Sequence, residues 1–397
     1  MAVRKRFDAL QTLRFLLFLV VFGEHSGFYR LIGVPIFFEI SIMSVFLMMS
    51  GFLMFYTYSE RELSTNPVEN VKFSIGRIKK LYPLHVETAL IQLAFVIFFF
   101  FDYFRTSPEG FGYFAFRVGV NLALLQAWVP NLEQYTFFLN GPSWFLSVMI
   151  FAYFLFPYIV KLLKKLKTIR NGLIAAVLLF TISFIATIIV GSKTGYLDSE
   201  FFIWFTMNSP IMRTTDFILG CIIGFIYVER RKTRDIDAKP YSKGLWTFYE
   251  IMAFLLLQVF SVFIVAGVYL IGGDIIGIAL AYCTVGLPCL IGLPMLLVCI
   301  YGRGYMSKLF SWKPLVYLGD ITMYTYLIHY IYTQLWAYLQ DYVFGIDKSD
   351  PRNLYIVPVE FVLTIGSAIL YDKFRKKRAA AAKARATRPM EGQVEGA

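Results

Sequence analysis

LRFLLFLVVFGEHSGF, residues 13–28, is the stretch that decides the class of fold. A helix needs about 20 mostly apolar residues to cross a bilayer, so we predict a transmembrane helix over residues 13–30. The stretch nevertheless contains Arg14, Glu24 and His25. Ionisable residues are costly inside a membrane and are candidates for function.

The composition of the whole chain agrees with a membrane protein. Of its 397 residues, 58% are hydrophobic and 16% are charged, whereas soluble domains have about 45–50% and about 25%. The remaining predicted spans are 36–58, 83–104, 143–160, 172–191, 211–228, 245–271, 276–301, 315–340 and 354–373. A further segment, 111–129, is interrupted by Arg117 and Asn121, and we interpret it as re-entrant or interfacial. The predicted fold is an all-α integral membrane protein with about ten transmembrane helices.

Basic residues orient these spans. Of the 38 Lys and Arg residues, 31 lie in the N-terminal segment, in alternate connections and in the C-terminal tail. Such an excess marks the cytoplasmic side, so we expect both termini there. A full span at 111–129 would turn KLLKKLKTIR, residues 161–170, outward. We expect one membrane domain over 1–378 and a basic, disordered cytoplasmic tail over 379–397.

The net charge of +12 does not indicate a nucleic-acid partner. The basic residues lie in juxtamembrane segments, where they meet anionic lipid head groups. All four cysteines lie in apolar runs without the spacing of a metal site or a disulfide framework. We therefore expect membrane lipids as partners, and neither nucleic acid nor metal.

The first predicted span places two functional groups on one side. Arg14 and His25 are eleven positions apart, which is three helical turns plus about 20°, with about 16 Å between them along the axis. Histidine suits general base catalysis because its ordinary pKa is near 6.5. Taken alone, His25 fits a structural hydrogen bond better than it fits catalysis, but its register with Arg14 favours catalysis.

A second cluster, RIKKLYPLH, lies at residues 77–85, before the third predicted span. Arg77 and Lys80 would project from one side of a helix that ends near Pro83. Two cations at this position suit a phosphorylated ligand. Simple anchoring on the cytoplasmic side is the alternative. We expect His85 to be interfacial.

Three further groups are candidates on the acceptor side. Trp144 opens the fourth span, Arg213 and Asp216 share a face near the outer end of the sixth, and Tyr326 and His329 lie on one stripe of the ninth. Each has a structural alternative, respectively an interfacial tryptophan, an ion pair and a hydrogen-bonding ladder between helices.

Six blocks carry a family resemblance. In chain order they are LQTLRFLLFLVVFGEH (10–25), SVFLMMSGFLMF (44–55), RIKKLYP (77–83), PSWFLSVMIFAYFLFP (142–157), RTTDFILGCIIG (213–224) and YLGDITMYTYLIH (317–329). Together they resemble the acyltransferase-3 family, multi-spanning membrane proteins that move acyl groups, usually acetyl, onto sugar hydroxyls. The resemblance implies that His25 is the essential histidine and that Arg14 matches the family's preceding arginine. Arg77 and Lys80 match a basic pair that handles the acyl donor.

The chain departs from the commonest family pattern at three positions. Gln11 replaces an Asp, Lys80 replaces the second Arg of the basic pair, and Met149 replaces a Glu. Roles given to those acids do not carry over. We also expect no fused SGNH-type esterase domain.

The resulting prediction is a plasma-membrane O-acyltransferase. Acetyl-CoA, or another acyl-CoA, would dock from the cytoplasm near Arg14, Arg77 and Lys80, and the acceptor would be a cell-surface or lipid-linked saccharide. His25 would act as general base or form an acyl-histidine, and His329 would orient it or stabilise the oxyanion. The alternatives are a saccharide or lipid-linked oligosaccharide transporter, for which no half-to-half repeat is found, and a non-catalytic scaffold. A homo-oligomer remains open.

Overall fold

A computed structural model of the chain describes residues 5–32, 38–106, 110–195, 199–233, 240–271 and 287–386. Throughout these ranges the regular secondary structure is helical. The first helices are α1 (Asp8–His25), α2 (Phe28–Leu31), α3 (Phe38–Tyr58), α4 (Pro67–Ile78), α5 (Tyr82–Thr106), α6 (Gly110–Leu122), α7 (Trp144–Lys164) and α8 (Ile169–Thr194). The others are α9 (Glu200–Met207), α10 (Pro210–Thr233), α11 (Lys243–Ile271), α12 (Leu287–Tyr301), α13 (Tyr305–Phe310), α14 (Lys313–Asp320), α15 (Thr322–Leu339) and α16 (Val357–Ala386).

Several of these helices can cross a bilayer. Within the described ranges, five stretches are long and apolar enough: Tyr82–Phe100, Gly141–Lys164, Ile169–Thr194, Glu200–Thr233 and Pro351–Ala382. The shorter apolar helices Ile42–Tyr58 and Gly292–Tyr301 accompany them. The prediction of an all-α membrane protein is thus confirmed. The ten-span topology and the cytoplasmic termini stay predictions, and parts of the second and eighth predicted spans lie outside the described residues.

Helices α3 and α10 pack closely against each other. A Cβ atom placed on Gly220 would lie 2.1 Å from the backbone oxygen of Met48, and one on Gly51 would lie 2.0 Å from that of Phe217. Small residues let membrane helices approach until their backbones touch. Helices α7 and α8 pack against α10, and α12 packs against α3.

Two predicted spans are interrupted. The helix predicted over 13–30 ends at His25, because Gly27 adopts φ +70° and turns the chain into the short helix α2. The span predicted over 315–340 was wrong as one continuous helix, since α14 and α15 meet at Ile321 with φ −95° and ψ 2°. There α14 lies directly on α1, where a Cβ on Gly319 would be 2.0 Å from the Gln11 backbone oxygen.

The segment before α7 folds back along α5. The Tyr82 hydroxyl donates to the Leu122 carbonyl at 3.1 Å, and Nε2 of His85 donates to the Asn121 carbonyl at 3.0 Å. The end of α6 therefore lies beside the start of α5. With 13 residues, α6 is shorter than the ~20 that cross a bilayer, a length that suits the predicted re-entrant or interfacial helix near 111–129.

Irregular backbone connects α6 to α7, through short 3₁₀ and π turns at Gln126–Trp128, Leu132–Thr136 and Gly141–Ser143. Such backbone is tolerated at membrane depth only where protein buries it and satisfies its polar groups. Side chains from other parts of the protein do so here. The Trp204 indole donates to the Ala127 carbonyl at 2.9 Å, the Asn121 amide donates to the Tyr135 carbonyl at 3.1 Å, and the Leu132 N–H donates to the Glu200 carboxylate at 2.6 Å.

The C-terminal helix extends beyond the predicted membrane domain. Helix α16 continues through Ala386, so residues 379–386 of the predicted disordered tail are helical. The rest of the tail, 387–397, lies outside the described residues. The boundary at residue 378 stays a prediction.

Candidate active site

A cavity of about 380 Å³ opens where α1 ends. Ligand pockets typically measure about 300–1,000 Å³. The residues that line it come from six parts of the chain: Glu24, His25, Arg30, Met43, Phe137, Gly141, Pro142, Trp144, Met207, Asn208, Arg213, Tyr330 and Gln334. Of the residues predicted from sequence, His25, Trp144 and Arg213 therefore share one cavity.

His25 lines this cavity and is paired with a second histidine, His329, behind it. Nδ1 of His25 lies 2.7 Å from Nε2 of His329, and the two ring planes are inclined by only 6°. His329 is fully buried on α15, and His25 is partly buried at the last position of α1. The structure thus brings together two histidines that are 304 positions apart in sequence.

The hydrogen bonds of the pair define its tautomers. Nδ1 of His329 lies 3.3 Å from the Thr325 carbonyl. Because a carbonyl only accepts, this nitrogen carries the hydrogen, and Nε2 of a neutral His329 is an acceptor. His25 then donates from its Nδ1, and the lone pair of the His25 ring is on Nε2. A second group that fixes the tautomer of a histidine is the usual way to prepare it as a base.

The local sequence explains why His25 lies at a helix end. A Cβ on Gly23 would come within 2.7 Å of the Tyr29 ring, so glycine lets α2 fold back against α1. The Tyr330 ring lies across His25, with centroids 5.5 Å apart and planes at 73°. Gly141 makes room for Tyr330, because a Cβ there would lie 3.1 Å from that ring. Sequence reasoning missed Tyr330 and Gly141, although both adjoin predicted residues or motifs.

Arg213, which forms a buried ion pair, lines another part of the wall. Arg213 and Asp216 are bridged at 3.2 Å, with side-chain exposures of 2% and 3%. Arg213 also donates to the Ser44 hydroxyl at 3.1 Å, which ties α10 to α3. The sequence left an ion pair and a vestibule lining as alternatives for these two residues. Arg213 does both.

The remaining acceptor-side candidates pack nearby. Tyr326 is 3% exposed, and its ring centroid lies 5.9 Å from His329 and 5.8 Å from Phe145. Trp144 begins α7 and contacts the neighbouring Phe145 ring at 6.1 Å. All five predicted acceptor-side residues therefore lie in or beside one wall.

The predicted donor residues lie toward the other end of α1. Arg14 donates to the Gln11 amide oxygen at 3.0 Å. Arg77 is exposed, donates to the Tyr58 hydroxyl at 3.4 Å, and lies 5.8 Å from the ring centroids of both Tyr58 and Tyr153. Tyr153 also interacts electrostatically with Arg14. Tyr153, which sequence reasoning missed, thus links the two arginines.

Lys80 is arranged differently. Its side chain is exposed on the turn between α4 and α5, and its backbone carbonyl accepts a hydrogen bond from Arg375 of α16. The described contacts join Arg14 and Arg77 through Tyr153, and they join Lys80 to the C-terminal helix.

These features define a helical membrane protein with a cavity lined by one histidine, His25, and a fully buried histidine, His329, paired with it. The chain belongs to the acyltransferase-3 family, whose model, described as an acyltransferase domain, matches residues 7–372. It is also similar to "Acyltransferase MdmB" of Streptomyces mycarofaciens, with 29% identity over 192 residues, which is 46% of each chain. The match spans about half the length of that relative. No solved structure matches the chain. The family and the relative support acyl transfer in general.

Proposed function

We propose that this protein is a plasma-membrane O-acyltransferase. It moves an acyl group, in the simplest case acetyl, from cytoplasmic acyl-CoA to a hydroxyl of a cell-surface or lipid-linked saccharide at the outer side. The observation that carries the proposal is the His25–His329 pair, with Nδ1 and Nε2 2.7 Å apart at the cavity wall.

The transfer uses His25 as a general base. Nε2 removes the proton of the acceptor hydroxyl, whose oxygen attacks the thioester carbonyl. The tetrahedral oxyanion collapses, the C–S bond breaks, and the proton on His25 passes to the thiolate of CoA. His329 holds His25 in the required tautomer, and Tyr326 packs against His329.

The donor phosphates bind near Arg14, Arg77 and Lys80. Arginine binds phosphate in a bidentate manner and lysine acts as a point charge. Arg14 and His25 lie in one unbroken helix, so about 16 Å separates them along its axis. An extended pantetheine arm covers that distance.

The acceptor binds in the cavity. Trp144 and Tyr330 provide aromatic surfaces for a sugar ring, and Arg213, held by Asp216, supplies a fixed polar group in the wall. A volume of about 380 Å³ accommodates one or two sugar units and excludes a long stretch of polymer.

Binding and hydrolysis of radiolabelled acetyl-CoA by the purified protein in nanodiscs test this function. We expect wild type to bind acetyl-CoA and turn it over slowly, His25→Ala to bind it without turnover, and Arg77→Ala to bind it poorly. Lys72→Ala is the matched control, because Lys72 is an exposed cation on the same helix α4.

Two results would contradict the proposal. The first is retention of no more acetyl-CoA by wild type than by an unrelated membrane protein, and the second is turnover by His25→Ala at the wild-type rate. Saccharide flux across proteoliposomes without acylation would instead favour the transporter.

A further inference from the structure

The turn between α4 and α5, residues 79–81, is held by a side chain from the far end of the sequence. Nη1 of Arg375 donates to the Lys80 carbonyl and, at 3.1 Å, to the Tyr324 hydroxyl. One guanidinium nitrogen thus joins α16, α15 and the turn. The turn follows Arg77 and carries the Lys80 side chain, so this contact reaches both cations of the predicted donor pair.

Arg375 is itself fixed from both sides. Its guanidinium carbon lies 5.8 Å from the Tyr324 ring centroid, and that ring packs edge-on against Tyr371 at 5.2 Å. One turn earlier on α16, Asp372 accepts from the Tyr317 hydroxyl at 3.1 Å and pairs with Lys376 at 2.7 Å. The cytoplasmic end of α16 is therefore anchored to α14 and α15 independently of the turn.

Leu81 packs against the core at one end of the turn, whereas Lys79 and Lys80 rely on backbone contacts. The backbone of the turn is closed by bonds from Lys79 to Ile75 at 2.8 Å and from Leu81 to Ile78 at 2.7 Å. The side chains of Lys79 and Lys80 are both exposed. Cationic side chains commonly bond carbonyls near helix C-termini and stabilise them. Arg375 plays this part from another helix, where it can fix the direction in which the turn leaves α4.

We propose that Arg375 is a positioning residue for the acyl donor. By holding the Lys80 carbonyl, it keeps the α4–α5 turn, and with it Arg77 and the Lys80 ammonium, in the arrangement that binds the donor phosphates. It does not touch the reacting atoms. This inference rests on the proposed function, and it makes the C-terminal helix part of the donor site.

Two measurements on the full-length protein in nanodiscs test it. Hydrogen–deuterium exchange of a peptide covering residues 76–84 reports the turn without any donor. Acetyl-CoA affinity and turnover at saturating donor report the site. We compare wild type with Arg375→Ala, Arg375→Lys and Tyr324→Phe. Arg378→Ala is the matched control, because Arg378 lies one turn along α16 over the Phe374 ring.

In Arg375→Ala we expect faster exchange in the turn. We expect the donor Kd to rise roughly tenfold, because one charged hydrogen bond is lost, and turnover at saturating donor to stay unchanged. Arg375→Lys restores part of the affinity, because an ammonium can still donate to the carbonyl. Tyr324→Phe, which removes one of the two acceptors, gives an intermediate shift. Arg378→Ala behaves as wild type.

Other outcomes separate the two proposals. Unchanged exchange in Arg375→Ala, or faster exchange with unchanged donor affinity, would overturn the positioning role alone. A loss of turnover at saturating donor would also overturn it, because a purely positioning residue on the donor side acts through binding. If wild type bound no donor, the proposed function would be wrong. The proposed link between this turn and the donor would then be wrong as well.

Discussion

At the scale of single residues, the two histidines of the site differ in their hydrogen-bond partners and in their position relative to the cavity. His329 donates to the Thr325 carbonyl of its own helix, so its other nitrogen is committed to His25. His25 stands at the end of α1 beside the cavity. His329 is therefore fixed by the backbone and in turn fixes His25, which suits the proposed roles of His25 as the base and His329 as its support.

This division of roles makes His329 testable without disturbing the donor. In His329→Ala the Nδ1 hydrogen of His25 loses its acceptor, and we expect turnover to fall roughly 100-fold, within the range attributed to general base catalysis. Donor affinity should not change. His329→Gln retains an acceptor oxygen and should recover part of the rate.

The third histidine of the chain supplies the control. His85 is buried and donates to the Asn121 carbonyl, away from the cavity lining. His85→Gln keeps a donor and should leave turnover within about twofold of wild type, as expected where a hydrogen bond is retained. A larger loss in His85→Gln than in His329→Gln would refute the assignment.

A second residue-scale prediction concerns Tyr153. Tyr153→Leu removes the ring whose centroid lies 5.8 Å from the Arg77 guanidinium. We expect acetyl-CoA affinity to fall about two- to fivefold, the effect of losing one cation–π contact that holds Arg77. Tyr158→Leu, further along the same helix α7, is the control. Equal affinities for both variants would count against a donor site at Tyr153.

At the scale of helices, the contact between α3 and α10 supports the cavity wall. Gly51 and Gly220 allow the two backbones to touch, and the Arg213–Ser44 hydrogen bond joins the same two helices. Packing that depends on the absence of a side chain is sensitive to a single methyl group. The position of Arg213 in the wall thus depends on glycines that never touch a ligand.

Gly220→Ala tests this dependence. The added Cβ would lie 2.1 Å from the Met48 carbonyl oxygen, whereas a Cβ on Gly366 of α16 meets no atom within 4 Å. We expect Gly220→Ala to destabilise the protein by roughly 1–3 kcal/mol, seen as a lower midpoint of thermal unfolding in detergent. Gly366→Ala should be neutral or slightly stabilising. If both variants melt together, the close packing of α3 and α10 is wrong.

Hydropathy predicted the positions of the helices better than it predicted their ends. Apolar length alone predicts α5, α7, α8 and α16, because a bilayer demands about 20 apolar residues. It does not predict the break at Ile321, which reflects how closely α14 lies on α1. Nor does it predict the end of α1 at His25, which is set by the left-handed conformation of Gly27.

In the candidate site too, local sequence patterns predicted some features and missed others. Helical register places Arg14 and His25 on one face, and the resemblance adds their roles. The distance between His25 and His329 depends on how α1 packs against α15, which no local pattern encodes. Tyr153 and Arg375 were missed for the same reason, since their partners are on other helices.

At the scale of the whole molecule, the membrane topology determines on which side of the membrane each connection lies. Ten spans put Glu62 and Lys165 on the cytoplasmic side, whereas a full span at 111–129 would put them on opposite sides. Helix α8 has 26 residues and a length of about 39 Å, enough to carry its ends across a hydrocarbon core about 30 Å thick. Lys165 precedes this helix, Lys193 lies in its last turn, and both side chains are exposed.

Single cysteines at these three positions, introduced one at a time after the four natural cysteines are replaced, distinguish the topologies. With a membrane-impermeant thiol reagent on intact cells, we expect Lys193→Cys to be labelled, and Glu62→Cys and Lys165→Cys to be labelled only after permeabilisation. Labelling of Lys165→Cys but not Glu62→Cys in intact cells would show that 111–129 crosses the membrane. The proposed outward orientation of the cavity and the proposed cytoplasmic orientation of the donor cluster would then be wrong, because α7 would run in the opposite direction.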